Sequence, residues 1–403
     1  MRENTPHGRQ EASAERIFLV LFISVFSATL GLGIIVPLLP FYAESLGATG
    51  FWIGVIFSGF AFSRAVFMPL IGSLSDLRGR RRFMLGGLAM YTLLSVAYIA
   101  ADSVVALSAV RVFHGLASAM VIPVAMAYAA DFSPEGKEGR HMGTFMISLF
   151  LGMGLGPLLG GIIQDIAGMP AVFLSMAVCA GVALAVCILF LPESTGTNRP
   201  ATSLRSTVAN RTIRPVLFFR VANSFAGGTL LVFGPLLVAG TVLLPDGAIT
   251  HQILSPTEIG IVISASMLAT AFLQRPCGNL ADRYDRTLLI VAGSVLLAAA
   301  LLVLPFVSGF WPIFAAALLF GLGNAIAIAA ATSLVTVAGR ETGQGAAMGA
   351  YNTAMSVGMI TAPLFFGALM DAAGIVAVFV VSGCIALATS AVFYRIARKA
   401  GIA

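Results

Sequence analysis

The chain has 403 residues, of which 59% are hydrophobic and 10% charged, with a mean hydropathy of +0.98. Water-soluble domains carry roughly a quarter charged residues, so this composition excludes that class. The net charge of +6 is spread over short turns between apolar runs, which argues against a nucleic-acid-binding face.

A helix needs about 20 apolar residues to cross a ~30 Å hydrocarbon layer. Breaking the chain at polar and Gly/Pro clusters predicts twelve spans. They fall roughly at 16–40, 51–75, 83–101, 104–129, 141–165, 169–191, 214–238, 257–280, 287–305, 309–336, 345–370 and 374–395. Membrane barrels are built from short alternating strands, so runs of this length read as helices. The first run exceeds the apolar core of a signal peptide and lacks a small-residue cleavage site, so it reads as a retained span. Cys179, Cys187, Cys277 and Cys384 lie inside apolar runs without CxxC spacing. They read as packing residues, neither a disulfide frame nor a metal site.

Of the 23 Lys and Arg residues, 19 fall in alternate loops and the termini on one side, and Arg64, Arg111, Arg220 and Arg275 fall within spans. The opposite loops carry only acids, among them Glu44, Asp102, Asp246 and Glu258. The positive-inside rule then predicts that both termini are cytoplasmic. The expected plan is a cytoplasmic tail over 1–15, a six-helix bundle over 16–191, a basic connector over 192–213, a second bundle over 214–395 and a short tail over 396–403.

The second half repeats the first. A shift of 206 positions lays Gly278 on Gly72, Asp282 on Asp76, Arg286 on Arg80, Gly321 on Gly115, Pro363 on Pro157 and Asp371 on Asp165. At the first span of each half the offset drops to about 198, pairing Pro37-Leu38-Leu39 with Pro235-Leu236-Leu237, and a longer outer loop near 239–256 absorbs the difference. Six spans repeated in one orientation predict two parallel halves related by an axis along the membrane normal. That arrangement suits alternating access to a site between them.

The turn GSLSDLRGRRR at 72–82 concentrates Gly72, Asp76, Gly79, Arg80 and Arg81, echoed by Gly278, Asp282 and Arg286. A plain basic turn accounts for the arginines but not for Asp76, the glycines or the echo. The pattern resembles the loop motif of the major facilitator superfamily. That resemblance implies an all-α polytopic fold of two six-helix repeats. It also implies that Asp76 and Arg80 latch the cytoplasmic ends of the halves in the outward-facing state, with Asp131 a further partner. Leu77 departs from the family's usual basic residue.

LSAVRVFHGLASA at 107–119 resembles the family's fourth-span motif, with Arg111 as its buried arginine and His114 where the family usually has glutamine. An arginine in hydrocarbon costs about 2.5–3.5 kcal/mol on insertion scales, so Arg111 should face a cavity or a partner. Helix packing on backbone carbonyls is the plainer alternative. His114 is read as a coupling residue or as a hydrogen-bonded structural histidine. GMGLGPLLGG at 152–161, with Gly152, Gly156, Pro157, Gly160 and Gly161, resembles the fifth-span motif of the superfamily's exporters. GIIVPLLPFYAESLG at 33–47 resembles the first-span motif of its twelve-span drug–proton antiporters.

By the same resemblance the first, fourth, seventh and tenth spans line the cavity, which offers Arg111, His114, Arg220, Asn223 and Asn324. No Asp or Glu lies deep in any span. Exporters of lipophilic cations commonly place a carboxylate there, so the expected substrate is small and neutral or anionic. The expected function is a proton-coupled exporter without a cofactor or metal, monomeric, in a prokaryotic inner membrane. An importer or facilitator of a sugar or organic acid is the alternative. A membrane enzyme would need clustered His, Asp, Glu or Cys near one face, or a nucleotide loop of the form GxxxxGK[ST], and the sequence offers neither.

Overall fold

The computed structural model describes residues 6–132, 138–193, 213–243, 249–251, 254–342 and 344–401. The first half comprises α1 (Pro6–Ile35), α2 (Leu39–Ser45), α3 (Gly50–Arg78), α4 (Arg80–Ala97), α5 (Val104–Asp131) and α6 (Glu138–Phe190). The second comprises α7 (Ile213–Ala239), α8 (Pro256–Arg283), α9 (Arg286–Val303), α10 (Phe310–Thr342) and α11 (Gln344–Lys399). Nearly all of the connector expected at 192–213 lies outside the described residues, as do the start of the first tail and Asp246.

Nine of these helices are long and apolar enough to cross a membrane. Two of them are too long for one crossing: α6 has 53 residues and α11 has 56. At 1.5 Å per residue each would reach about 80 Å if straight. Each breaks at one glycine in the left-handed region, Gly168 at φ 75° and Gly374 at φ 82°, where a side chain would be strained. The chain doubles back there. Gly156 and Met176 lie on opposite sides of Gly168, yet both touch one turn of α1, at Gly33 and Gly31. Dividing α6 and α11 at these glycines gives eleven apolar segments; the 18-residue α4, whose three leading arginines weaken its apolar character, would be the twelfth of the expected plan.

Some boundaries differ from the sequence reading. The first span ends at Ile35, not near residue 40, because Pro37 and Pro40 break the helix and start the short α2. The outer loop contains an antiparallel pair, β1 (Thr241–Leu243) with β2 (Ile249–His251), in register Val242↔Thr250. Pro-Asp-Gly between the β-branched pairs Thr241-Val242 and Ile249-Thr250 is the local signal for that hairpin.

Three apolar cores organise the bundle. One joins both halves at the end opposite the termini, from Ile34, Leu39 and Ile53 to Phe233, Ile263 and Phe366. The other two belong to single halves at the terminal end: one around Leu21, Met84, Tyr128 and Phe145, the other around Val216, Ile290, Val335 and Phe393. The halves are thus fused at the far end and separate at the terminal end.

Small residues set the helix spacing. Methyl groups on Gly152, Gly156 and Gly160 would strike Thr29, Gly33 and Ile34 of α1, so one glycine face of α6 lies against the α1 backbone. Beside Gly278 there is open space within 4 Å. Gly156→Ala should therefore lower the thermal midpoint in detergent, by about 1–3 kcal/mol of overpacking. Gly278→Ala should leave it within about 0.5 kcal/mol. Equal effects would contradict this packing.

Candidate functional site

The far end is closed by two backbone crossings related by the repeat. At one, α3 of the first half meets α11 of the second: a methyl on Gly54 would collide with the Pro363 carbonyl. At the other, α8 meets α6: a methyl on Gly260 would collide with the Pro157 carbonyl, and one on Gly161 with that of Pro256. Gly54 and Gly260, like Pro157 and Pro363, are 206 positions apart. Ser58 Oγ donates to the Ile360 carbonyl at 2.6 Å, and Leu158 N–H donates to Ser264 Oγ at 3.0 Å.

Each crossing ends in a carboxylate from one half on a helix N-terminus of the other. The N–H groups of Gly50 and Phe51 donate to Asp371 at 2.6 and 2.8 Å. Thr49, the N-cap of α3, makes no side-chain cap of its own. The Thr257 N–H donates to Asp165 at 2.9 Å, and the Thr257 hydroxyl donates to the same oxygen. Ser255 and Glu258 complete a capping box at that helix start. A carboxylate at a helix N-terminus contributes about 0.3–1 kcal/mol, more when partly buried. The 206-residue offset pairs Asp165 with Asp371, and both are exposed at span ends. The missed signal was that each matches a helix start in the other half. Nearby, Tyr42 Oη donates to the Tyr98 and Ala101 carbonyls. Burial, then the Asp102 carboxylate, holds its phenol above the usual value.

At the terminal end the 72–82 turn forms as its glycines require. Gly79, at φ 94°, joins α3 to α4. Arg80 then lies almost fully buried between two acids: its Nε is 2.6 Å from Asp131 Oδ2 and its Nη2 3.0 Å from Asp76 Oδ1. Arg81 donates to the Ile188 carbonyl at 2.8 Å. All these partners belong to the first half, and beside Gly72 there is open space within 4 Å. The second-half copy is looser. Arg286 stands 3.9 Å from an exposed Asp282, and Val337 occupies the place of Asp131. Asp285, where the first half has Gly79, caps α9 by accepting from Thr287 and Leu288 N–H.

The sequence reading put Arg111 and His114 in a cavity between the halves. The structure instead buries both within the first half, at 3% and 1% exposure, because that face of α5 packs on α3 and α4. The Arg111 guanidinium lies 4.4 Å from the Phe60 ring centroid, and Tyr98 Oη is 2.9 Å from His114 Nδ1. Tyr91 and Phe60 box the imidazole edge-on. Arg111 Nε and Nη1 are buried without a hydrogen-bond partner.

The structure does bring Arg220, Asn223 and Asn324 together. Arg220 Nη1 donates to Asn223 Oδ1 at 3.0 Å, and Asn223 Nδ2 donates to Asn324 Oδ1 at 3.1 Å. Asn324 lines a cavity of about 120 Å³ between α7, α8 and α10, walled by Leu230, Ile263, Met267, Thr270 and Phe320. Neither polar cluster is repeated: Ala317 and Phe320 stand where Arg111 and His114 would recur.

Two apolar-lined halves, fused at one end and separate at the other, with a polar chain reaching a cavity, are the parts of an alternating-access carrier. The family model described as Major Facilitator Superfamily matches residues 21–245 and again 216–401. The chain is 30% identical over 388 residues to an uncharacterized MFS-type transporter, MJ1560, of Methanocaldococcus jannaschii, covering 95% of this chain and 99% of that one. It is 25% identical over 358 residues to the quinolone resistance protein NorA of Staphylococcus aureus, covering 87% and 89%. The fold is similar to the crystal structure of a bacterial homolog of the human lysosomal transporter Spinster in an inward-facing, unoccupied conformation, with TM-score 0.79, 13% identity and coverage of 96% and 97%. The chain belongs to the Major Facilitator Superfamily. It is a multi-pass membrane transporter.

Removing both far-end caps tests whether they hold the halves closed. With spin labels at Ser45→Cys and Ser308→Cys in a cysteine-free background, Asp165→Ala combined with Asp371→Ala should raise the longer-distance population several-fold. An unchanged distance distribution would assign the caps to helix stability alone.

Proposed function

We propose that this transporter is a proton-coupled exporter of small neutral or anionic compounds, in a prokaryotic inner membrane with both termini cytoplasmic. The observation that carries the reading is the fifth-span glycine motif. Gly152, Gly156 and Gly160 hold α6 on α1, while Pro157 and Gly161 of the same motif meet α8 at the far-end closure. The motif resembles the fifth-span motif of the superfamily's exporters, and the likeness to the quinolone resistance protein NorA supports drug efflux.

On this reading the terminal end faces the cytoplasm and the structure is closed to the outside. Substrate enters between the separate cores of the two halves. The halves then rock: the Asp165 and Asp371 caps release, and the terminal ends approach across Gly72 and Gly278. Arg80, held by Asp76 and Asp131, fixes the shape of the turn that docks. Asp76 has the more exposed side chain of that cluster, at 40% against 19% for Asp131. The absence of an acid deep in any span leaves this cluster and His114 as the groups that can exchange a proton during the cycle. His114 would act from within its aromatic box.

Efflux-deficient cells expressing the wild type should accumulate less of some neutral or anionic compounds from a labelled panel. Asp76→Asn or a protonophore should abolish the difference. Raised accumulation would indicate uptake of a nutrient instead. Depletion insensitive to the protonophore would remove the proton as driving ion, and export of cationic dyes would contradict the charge preference.

A further inference from the structure

Arg220 lies near the terminal end of α7, half-buried, and among the described residues it has no carboxylate partner. Neutral groups hold it: Asn223 Oδ1, the Met355 sulfur 2.7 Å from Nη2, and the face of Tyr351, whose centroid is 4.8 Å from the guanidinium carbon. Among the described residues, Arg220 Nε and the hydroxyl of Tyr351, a residue only 3% exposed, are buried without a hydrogen-bond partner. Both can donate. A buried donor left unpaired costs about 1–3 kcal/mol. A guanidinium's planar fork matches two acceptor oxygens, so Arg220 carries the donors that recognise an oxyanion, and Tyr351, whose ring face lies on the guanidinium, brings an unpaired hydroxyl to the same wall.

The arrangement is not something the shared fold demands. Phe145 takes the place of Tyr351 in the first half, and Phe22 that of Arg220 under the offset of the first spans. The second half alone carries the cation and the hydroxyl. Its polar chain continues through Asn223 to Asn324 and the apolar cavity of about 120 Å³. An enclosed cavity of ~150 Å³ accepts one benzene ring, so this open-sided one has room for a body of about that size.

We propose that Arg220 and Tyr351 form the head-group site for a small organic anion, with Asn223 as a movable partner and the Asn324 cavity receiving its apolar body. The site deepens the exporter reading and rests on it. The anion arrives between the separated terminal ends and takes the Arg220 fork from Asn223. Asn223 stays bonded to Asn324 through Nδ2. Binding neutralises Arg220 before the halves close over it.

The test uses the purified full chain in detergent with benzoate, phenylphosphonate and benzenesulfonate, and benzyl alcohol as the neutral control. At least one anion should raise the thermal midpoint saturably. Arg220→Gln should weaken that anion tenfold or more and Tyr351→Phe about threefold, while benzyl alcohol acts equally on wild type and variants. Arg220→Lys keeps the charge without the fork and should bind between the two, which controls for misfolding. If none of the anions stabilises the wild type, or Arg220→Gln binds them as well, the site is overturned. Export of neutral compounds would then still stand. Intact anion binding with no export of any compound would instead sink the exporter reading and leave the site.

Discussion

The structure depends on backbone meeting backbone at the far end. Gly54 against Pro363 and Gly260 against Pro157 bring helices of opposite halves closer than any side chain would allow. In a lipid environment there is little hydrophobic drive between helices, so close van der Waals packing and polar contacts across the interface set association. The glycines supply the first and the Asp165 and Asp371 caps the second. Because the contacts are backbone ones, they are all-or-none: a small separation loses the packing and the caps together. That favours two discrete arrangements over a continuum.

The two ends of the molecule are built on different physics. The far end is symmetric in its backbone crossings and carboxylate caps, which recur 206 positions on, although Ser58 and Ser264 bond different backbone groups and only α8 has a capping box. The terminal end is asymmetric: Arg80 is buried between Asp76 and Asp131, whereas Arg286 faces one exposed acid and Val337 fills the third place. A part-buried ion cluster keeps its geometry better than an exposed pair, whose net contribution is about 0–1 kcal/mol. The first half thus presents a fixed turn and the second a softer one. The polar clusters diverge in the same way, with Arg111 and His114 sealed inside one half and Arg220 reachable in the other.

Much of this was legible in the sequence, for identifiable reasons. Apolar run length and the sign of the loop charges predicted the spans, and the 206-residue offset predicted which contacts would recur. The Gly79 turn and the closeness of Arg80 to Asp131 followed from the loop motif. What escaped was direction. On a largely apolar helix, nothing in the sequence says which face looks into its own bundle, so the cavity reading of Arg111 and His114 stood beside the reading of a packing arginine and a hydrogen-bonded structural histidine, and their burial with the Tyr98–His114 contact fits the second. The Asp165 and Asp371 caps escaped because their partners are backbone N–H groups, which carry no residue signature. The Pro37 break and the outer hairpin were local signals outweighed by the apolar count around them.

The most direct test of the account is to lock the far end. In a cysteine-free background, Leu158→Cys with Ser264→Cys places two thiols across the α6–α8 crossing, where Leu158 N–H already meets Ser264 Oγ at 3.0 Å. Oxidation to the disulfide should stop transport, and reductant should restore it. Transport at the uncrosslinked rate with the disulfide fully formed would mean that the far end does not open, and would contradict alternation between the two ends.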